Sequence, residues 1–87
     1  MTENEARSRI RGYLVENFLY MRPGFAFTDE DSLMRKGVLD SLGIMEVIGF
    51  LEETWGVEVP PEDITESNFG TVSVMAKYVS GRAVTAG

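Results

Sequence analysis

The 87-residue chain contains neither histidine nor cysteine. Without them it cannot build Ser-His-Asp or Cys-His nucleophile arrangements, imidazole or thiolate metal sites, or disulfides. The lack of cysteine is also compatible with a reducing compartment. No apolar run approaches the roughly 20 residues that a bilayer-crossing helix needs, and the N-terminus lacks the charged-then-apolar pattern of a secretory signal. These absences predict a cytoplasmic protein that does not insert into membranes. Internal repeats, low-complexity tracts and linkers are missing as well, so the reading is one small domain over 1–87. Its core is expected over about residues 3–80, with a weakly patterned tail from Gly81 to Gly87 that should fray. A domain of this size buries roughly 60–65% of its unfolded surface and leaves little room for a deep substrate cleft.

Basic residues are the other scarcity, and their distribution matters more than their number. Eight Lys/Arg oppose fourteen Asp/Glu, for a net charge of −6. From Asp40 to Glu66 there are eight acids (Asp40, Glu46, Glu52, Glu53, Glu58, Glu62, Asp63, Glu66) and no base. That stretch carries −8 and the rest of the chain +2, much of the positive charge being Arg7, Arg9 and Arg11. An anionic half of this kind disfavours nucleic acid and anionic membrane surfaces, and suits partners with basic patches.

Periodicity predicts helices. The first should run from about Thr2 or Glu3 to Leu19, capped by Thr2 or Asn4, with Ile10, Leu14 and Phe18 on one stripe beside Tyr13. Arg22-Pro23-Gly24 ends it. A long connection to Leu39 follows, which needs anchors of its own; Phe25, Phe27, Leu33 and Val38 are the candidates. Asp29-Glu30-Asp31 is placed to open a short helical turn ending at Gly37. In the next helix, to about Trp55, Ile44, Val47, Ile48, Leu51 and Trp55 fall within about 60° of one direction on a helical wheel and should face the core. Ser41, Leu42, Met45, Glu46, Gly49, Glu52 and Glu53 lie on an outward surface. Gly56 closes the helix and Pro60-Pro61 break the chain, so Glu62-Asp63-Ile64 forms only a short turn or helix. The last helix starts near Thr71 with Val72, Met75, Ala76 and Val79 at helical spacing. Val57-Glu58-Val59 alternates like a strand but has no partner segment. The expected architecture is all-α: a four-helix bundle with three longer helices, one short one and a long first loop.

The most informative tripeptide is Asp40-Ser41-Leu42. It sets one serine hydroxyl at a helix N-terminus, where unpaired N–H groups and the helix dipole favour an attached phosphate. Such a serine suits carrying a group. The plain alternative is an ordinary capping serine, because Ser is a preferred N-cap. For the acids, the plain alternative is a solvated helix face. Asp29-x-Asp31 does not extend to a calcium loop, since Leu33 and Met34 stand where a ligand and glycine are required. Glu52 and Glu53 make a poor catalytic pair, because adjacent helical residues diverge in direction.

The stretch GVLDSLGIMEVIGFLEETWGVEVP resembles the acyl carrier proteins, including their aminoacyl and peptidyl relatives. The similarity extends from about Phe27 to Val79. It is carried by Gly37, Asp40-Ser41-Leu42, the Glu52-Glu53 pair, Trp55, Val59-Pro60 and Thr71-Val72. The resemblance implies an acyl-carrier-type helical bundle. It also implies that Ser41 accepts 4′-phosphopantetheine from a phosphopantetheinyl transferase, and that the protein is a non-catalytic carrier of an acyl or aminoacyl thioester. Partner enzymes of such carriers, among them activating ligases and acyl-processing enzymes, would meet Asp40, Leu42, Met45, Glu46, Gly49, Glu52 and Glu53 on the second helix. The short-helix positions Glu62, Asp63 and Ile64 would complete that surface. Three positions depart from fatty-acid carriers: Gly43 replaces a common acid, Gly49 a larger apolar residue, and Phe50 a small one. They point to a specialised carrier, loaded with an aminoacyl or unusual acyl group by its own ligase. An acidic helical adaptor without a prosthetic group is the alternative from another class.

Overall fold

The computed structural model describes residues 2–82; the expectation of a fraying tail over 83–87 lies outside them. Helix α1 spans Glu3–Phe18, α2 Ser41–Trp55, α3 Glu66–Phe69 and α4 Val72–Arg82, with a single 3₁₀ turn at Pro61–Asp63. This is the expected all-α bundle of three longer helices and one short one. Two details differ. The short helix is the one-turn α3, while Glu62 and Asp63 belong to the preceding 3₁₀ turn. The last helix continues through Gly81 to Arg82.

Each helix starts on a local signal. Thr2 caps α1 in a capping box: its hydroxyl accepts from the Glu5 N–H at 3.1 Å while the Glu5 carboxylate accepts from the Thr2 N–H at 3.1 Å. Thr65 caps α3, and Thr71 Oγ1 accepts from the Val74 N–H at the start of α4. Gly56 ends α2 in the left-handed region at φ 66°, a conformation that costs an L-residue with a side chain about 1–2 kcal/mol.

The core confirms most of the helical stripes. Ala6, Ile10 and Leu14 of α1, Val47, Ile48, Leu51 and Trp55 of α2, and Val72, Met75, Ala76 and Val79 of α4 are buried. Ile44 is only half-buried. Helices α1 and α4 share the most extensive contact. Helix α2 is spaced from α1 by rings: Tyr13 stacks on Phe50 at 4.0 Å, Phe18 meets Tyr13 edge-on, and Phe50 meets Trp55 edge-on. Phe50 therefore belongs to the seam between the two helices.

The long first loop is pinned along its length, as its size demanded. Phe27, Leu33 and Val38 are buried and Phe25 half-buried. Arg11 lies over the Phe27 ring and donates to the Phe27 carbonyl at 3.0 Å and to Asp29 Oδ1 at 2.9 Å. The loop backbone is tied to the far end of the bundle by Leu33 N–H to the Gly70 carbonyl and by Ser73 N–H to the Asp29 carbonyl, both at 3.0 Å. The segment from Ser32 to Leu39 is a series of turns closed by Gly37 at φ 76°.

Two interior helical glycines, Gly12 and Gly49, have open space where a Cβ would stand. Gly12→Ala and Gly49→Ala should each stabilise the fold by about 0.5–1 kcal/mol by reducing unfolded-state entropy. Urea unfolding checks this as a raised midpoint with an unchanged slope.

Candidate functional site

The start of α2 separates two tasks that the sequence left merged. The cap is Asp40: its backbone is extended, and its carboxylate accepts from the Gly43 N–H at 2.8 Å while its carbonyl accepts from the Ile44 N–H at 2.9 Å. Ser41 is the first residue inside the helix. It is exposed, and its hydroxyl has no hydrogen-bond partner among the described residues. The capping-serine reading is thereby replaced. Gly43 is buried under α1, where a Cβ would stand 3.1 Å from Leu39 Cδ2 and 3.3 Å from Phe18 Cε1. The missing acid at this position thus follows from close packing.

Around the free hydroxyl the surface is unusually apolar. Leu42 is 77% exposed, Met45 53% and Met34 45%. On one side of Ser41 runs a groove of about 310 Å³, lined by Met34, Ser41, Ile44, Met45, Ile64, Thr65, Glu66 and Phe69. Ile44 is half-buried because it forms this wall. On the other side a wider depression of about 550 Å³ joins Phe18, Met34 and Leu42 to Asp40 and Glu46. An unencumbered hydroxyl at the start of a 15-residue helix suits a phosphate ester, and the adjoining groove offers apolar contact to whatever is attached.

The phosphopantetheine attachment site family matches this chain over residues 14–79, from the second half of α1 into α4. The chain belongs to that family. It is a carrier protein bearing covalent 4′-phosphopantetheine, which displaces the adaptor reading. It is similar to the D-alanyl carrier proteins of Streptococcus pyogenes serotype M5 (strain Manfredo) and serotype M49 (strain NZ131). Each is 38% identical over 61 residues, covering 70% of this chain and 76% of the relative.

The carrier's acids do different work. Glu46, Glu53 and Glu62 are exposed, and the ion pairs among the described residues all involve Arg7 or Arg11. Glu52, expected on the outward face, instead turns its carboxylate back to accept from the Val59 N–H at 3.0 Å, closing the loop after α2. Asp63 is similarly engaged: its carboxylate accepts from the Tyr78 hydroxyl at 2.8 Å and its carbonyl from Asn68 Nδ2 at 2.9 Å. Ile64 is half-buried at the groove, and Gly49 leaves bare backbone between Met45 and Glu53. Glu52 is thus engaged by the backbone after α2, while the adjacent Glu53 is exposed. Among the described residues no cluster of carboxylates is arranged to hold a metal. Asp29 is taken by Arg7 and Arg11, and Asp31 by the Thr28 N–H, whose bond holds the Asp31 carboxyl below its ordinary range.

Burial, and then the bond to Asp63, raises the Tyr78 hydroxyl above its ordinary pKa of 10.0. A raised folded-state value means that the folded protein holds this proton more tightly than the unfolded chain does. The stabilisation is therefore complete below pH 10 and is lost as the pH rises through the folded value. Tyr78→Phe should cost about 0.5–1.5 kcal/mol at neutral pH and flatten the alkaline decline, as measured by urea midpoints from neutral pH upward.

Three lining residues of the groove, Met34, Thr65 and Phe69, were not expected there from the sequence, and Glu66 entered only as the last member of the acid run. Thr65 before a short apolar-containing segment closed by Gly70 was the available signal, a cap and a stop with four residues between them.

Proposed function

We propose that Ser41 bears the phosphopantetheine, installed from coenzyme A by a phosphopantetheinyl transferase, and that the carrier transports a small aminoacyl group supplied by an amino-acid-activating ligase. The observation that carries the site is the free, exposed Ser41 hydroxyl inside the family-matched segment, with the capping duty assigned to Asp40. The cargo reading is supported by the similarity to proteins named D-alanyl carriers and by Phe50, whose ring fills the α1–α2 seam that a long chain would otherwise enter.

When bound, the group supplies a flexible arm ending in a thiol, on which cargo rides as a thioester. The chain itself is non-catalytic: it holds the attachment point and orients itself against successive enzymes. Leu42 and Met45 offer short-range apolar contact beside Asp40, and Gly49 permits close backbone approach. Glu46, Glu53 and Glu62 draw in Arg/Lys patches over longer range, while Glu52, Asp63 and Ile64 shape that surface from within.

Intact mass before and after incubation with coenzyme A and a promiscuous transferase, followed by peptide mapping, tests the site. One phosphopantetheine on the peptide containing Ser41 is the expected result; no gain, or a gain elsewhere, overturns it. Reversing Glu46 and Glu53 to Lys together should slow ligase loading about tenfold at low salt, with the difference shrinking at high salt. Equal loading rates at low salt would remove these carboxylates from docking.

A further inference from the structure

We infer that Glu66 determines cargo specificity, its carboxylate receiving the ammonium of an aminoacyl group in the groove beside Ser41. This rests on Ser41 as the attachment point. Of the side chains lining the groove, Glu66 is the one that carries charge; Met34, Ile44, Met45, Ile64 and Phe69 form apolar wall. The carboxylate is held in place from two directions. Ser32 Oγ, on the first loop, donates to Glu66 Oε1 at 3.2 Å. Gly70 leaves the space the side chain folds into, since a Cβ there would stand 2.7 Å from the Glu66 carboxyl carbon and 2.9 Å from Oε1.

No cation of the described chain pairs with this carboxylate, because the ion pairs gather on α1, at Arg7 and Arg11. An oriented anion at the edge of an apolar groove matches a small cargo with one positive group. An ammonium gains a charge-assisted hydrogen bond there, whereas an uncharged acyl chain of the same length gains only the apolar contact of the walls. Ser32 positions the carboxylate without meeting the cargo.

The test uses the full-length protein loaded with a hydrolysis-proof, amide-linked alanyl-pantetheine carrying ¹⁵N in the alanine, alongside a propionyl counterpart. Intact mass and peptide mapping first establish the load on Ser41. The ammonium is then titrated by NMR in the wild type, in Glu66→Gln and in Ser32→Ala. Relative to free alanyl-pantetheine, the wild type should weaken the ammonium's acid dissociation about threefold. Glu66→Gln should abolish the shift and Ser32→Ala should reduce it. The Thr65 and Phe69 amide signals should shift more with the alanyl load than with the propionyl load, and the excess should vanish in Glu66→Gln. Equal titration in wild type and Glu66→Gln, with dispersed spectra showing both folded, overturns the inference and leaves the attachment site standing. Failure to load Ser41 overturns both.

Discussion

Ser41→Ala should abolish phosphopantetheine loading completely while leaving stability within about 0.5 kcal/mol of the wild type. The structure makes these two results separable. The hydroxyl is exposed and has no hydrogen-bond partner among the described residues, so its removal strands no buried group. The cap of α2 is Asp40, which the substitution does not touch, and alanine is the best helix former. Asp40→Ala is the complementary control: loss of the cap should cost about 1 kcal/mol even though the serine remains. Intact mass and urea unfolding on the pair check both statements. A Ser41→Ala protein that still gains phosphopantetheine would place the attachment elsewhere, and one that unfolds would show that Ser41 bears structural load.

Phe69→Ala should be the most destabilising single change near the groove, at about 3–5 kcal/mol. Phe69 is 1% exposed, and its ring meets that of Tyr78 at 4.8 Å. It closes the base of the groove next to Ser41 while filling the space between the short α3 and α4. A domain of this size has roughly 5–15 kcal/mol in total, so the loss is a large fraction. The thermal midpoint should fall by about 15–30 °C, read by circular dichroism, with Phe69→Leu recovering much of it. A midpoint within a few degrees of the wild type would mean that α3 is not part of the cooperative core.

Much of the fold was legible because helical periodicity is local. Ile10 and Leu14, the stripe from Val47 to Trp55, and Val72, Met75, Ala76 and Val79 are all buried where their spacing placed them. Loop anchors were legible for a related reason: a long connection in a small domain must bury some of its own apolar side chains, and Phe27, Leu33 and Val38 do so. Ile44 shared the stripe yet stays half-buried, because a wheel reports direction and not whether another element covers it. Helix α3 escaped notice because four residues carry no period.

What the sequence by itself determined is chemical and local. The absence of His and Cys removed nucleophile triads and soft metal sites, the acid run from Asp40 to Glu66 set the polarity of one half, and the Asp40-Ser41-Leu42 junction set a hydroxyl at a helix start. The tertiary structure decided which of those groups are available. Asp63 is spent on Tyr78 and Glu66 is held at the groove by Ser32, distant in sequence, while Asp40 and Glu52 are engaged by nearer residues, Gly43 and Val59. Asp63 and Glu66 differ from the exposed acids because a hydrogen-bond partner far along the chain is brought near only by packing. Periodicity and charge order describe a segment, whereas the freedom of a side chain depends on what the rest of the fold sets against it.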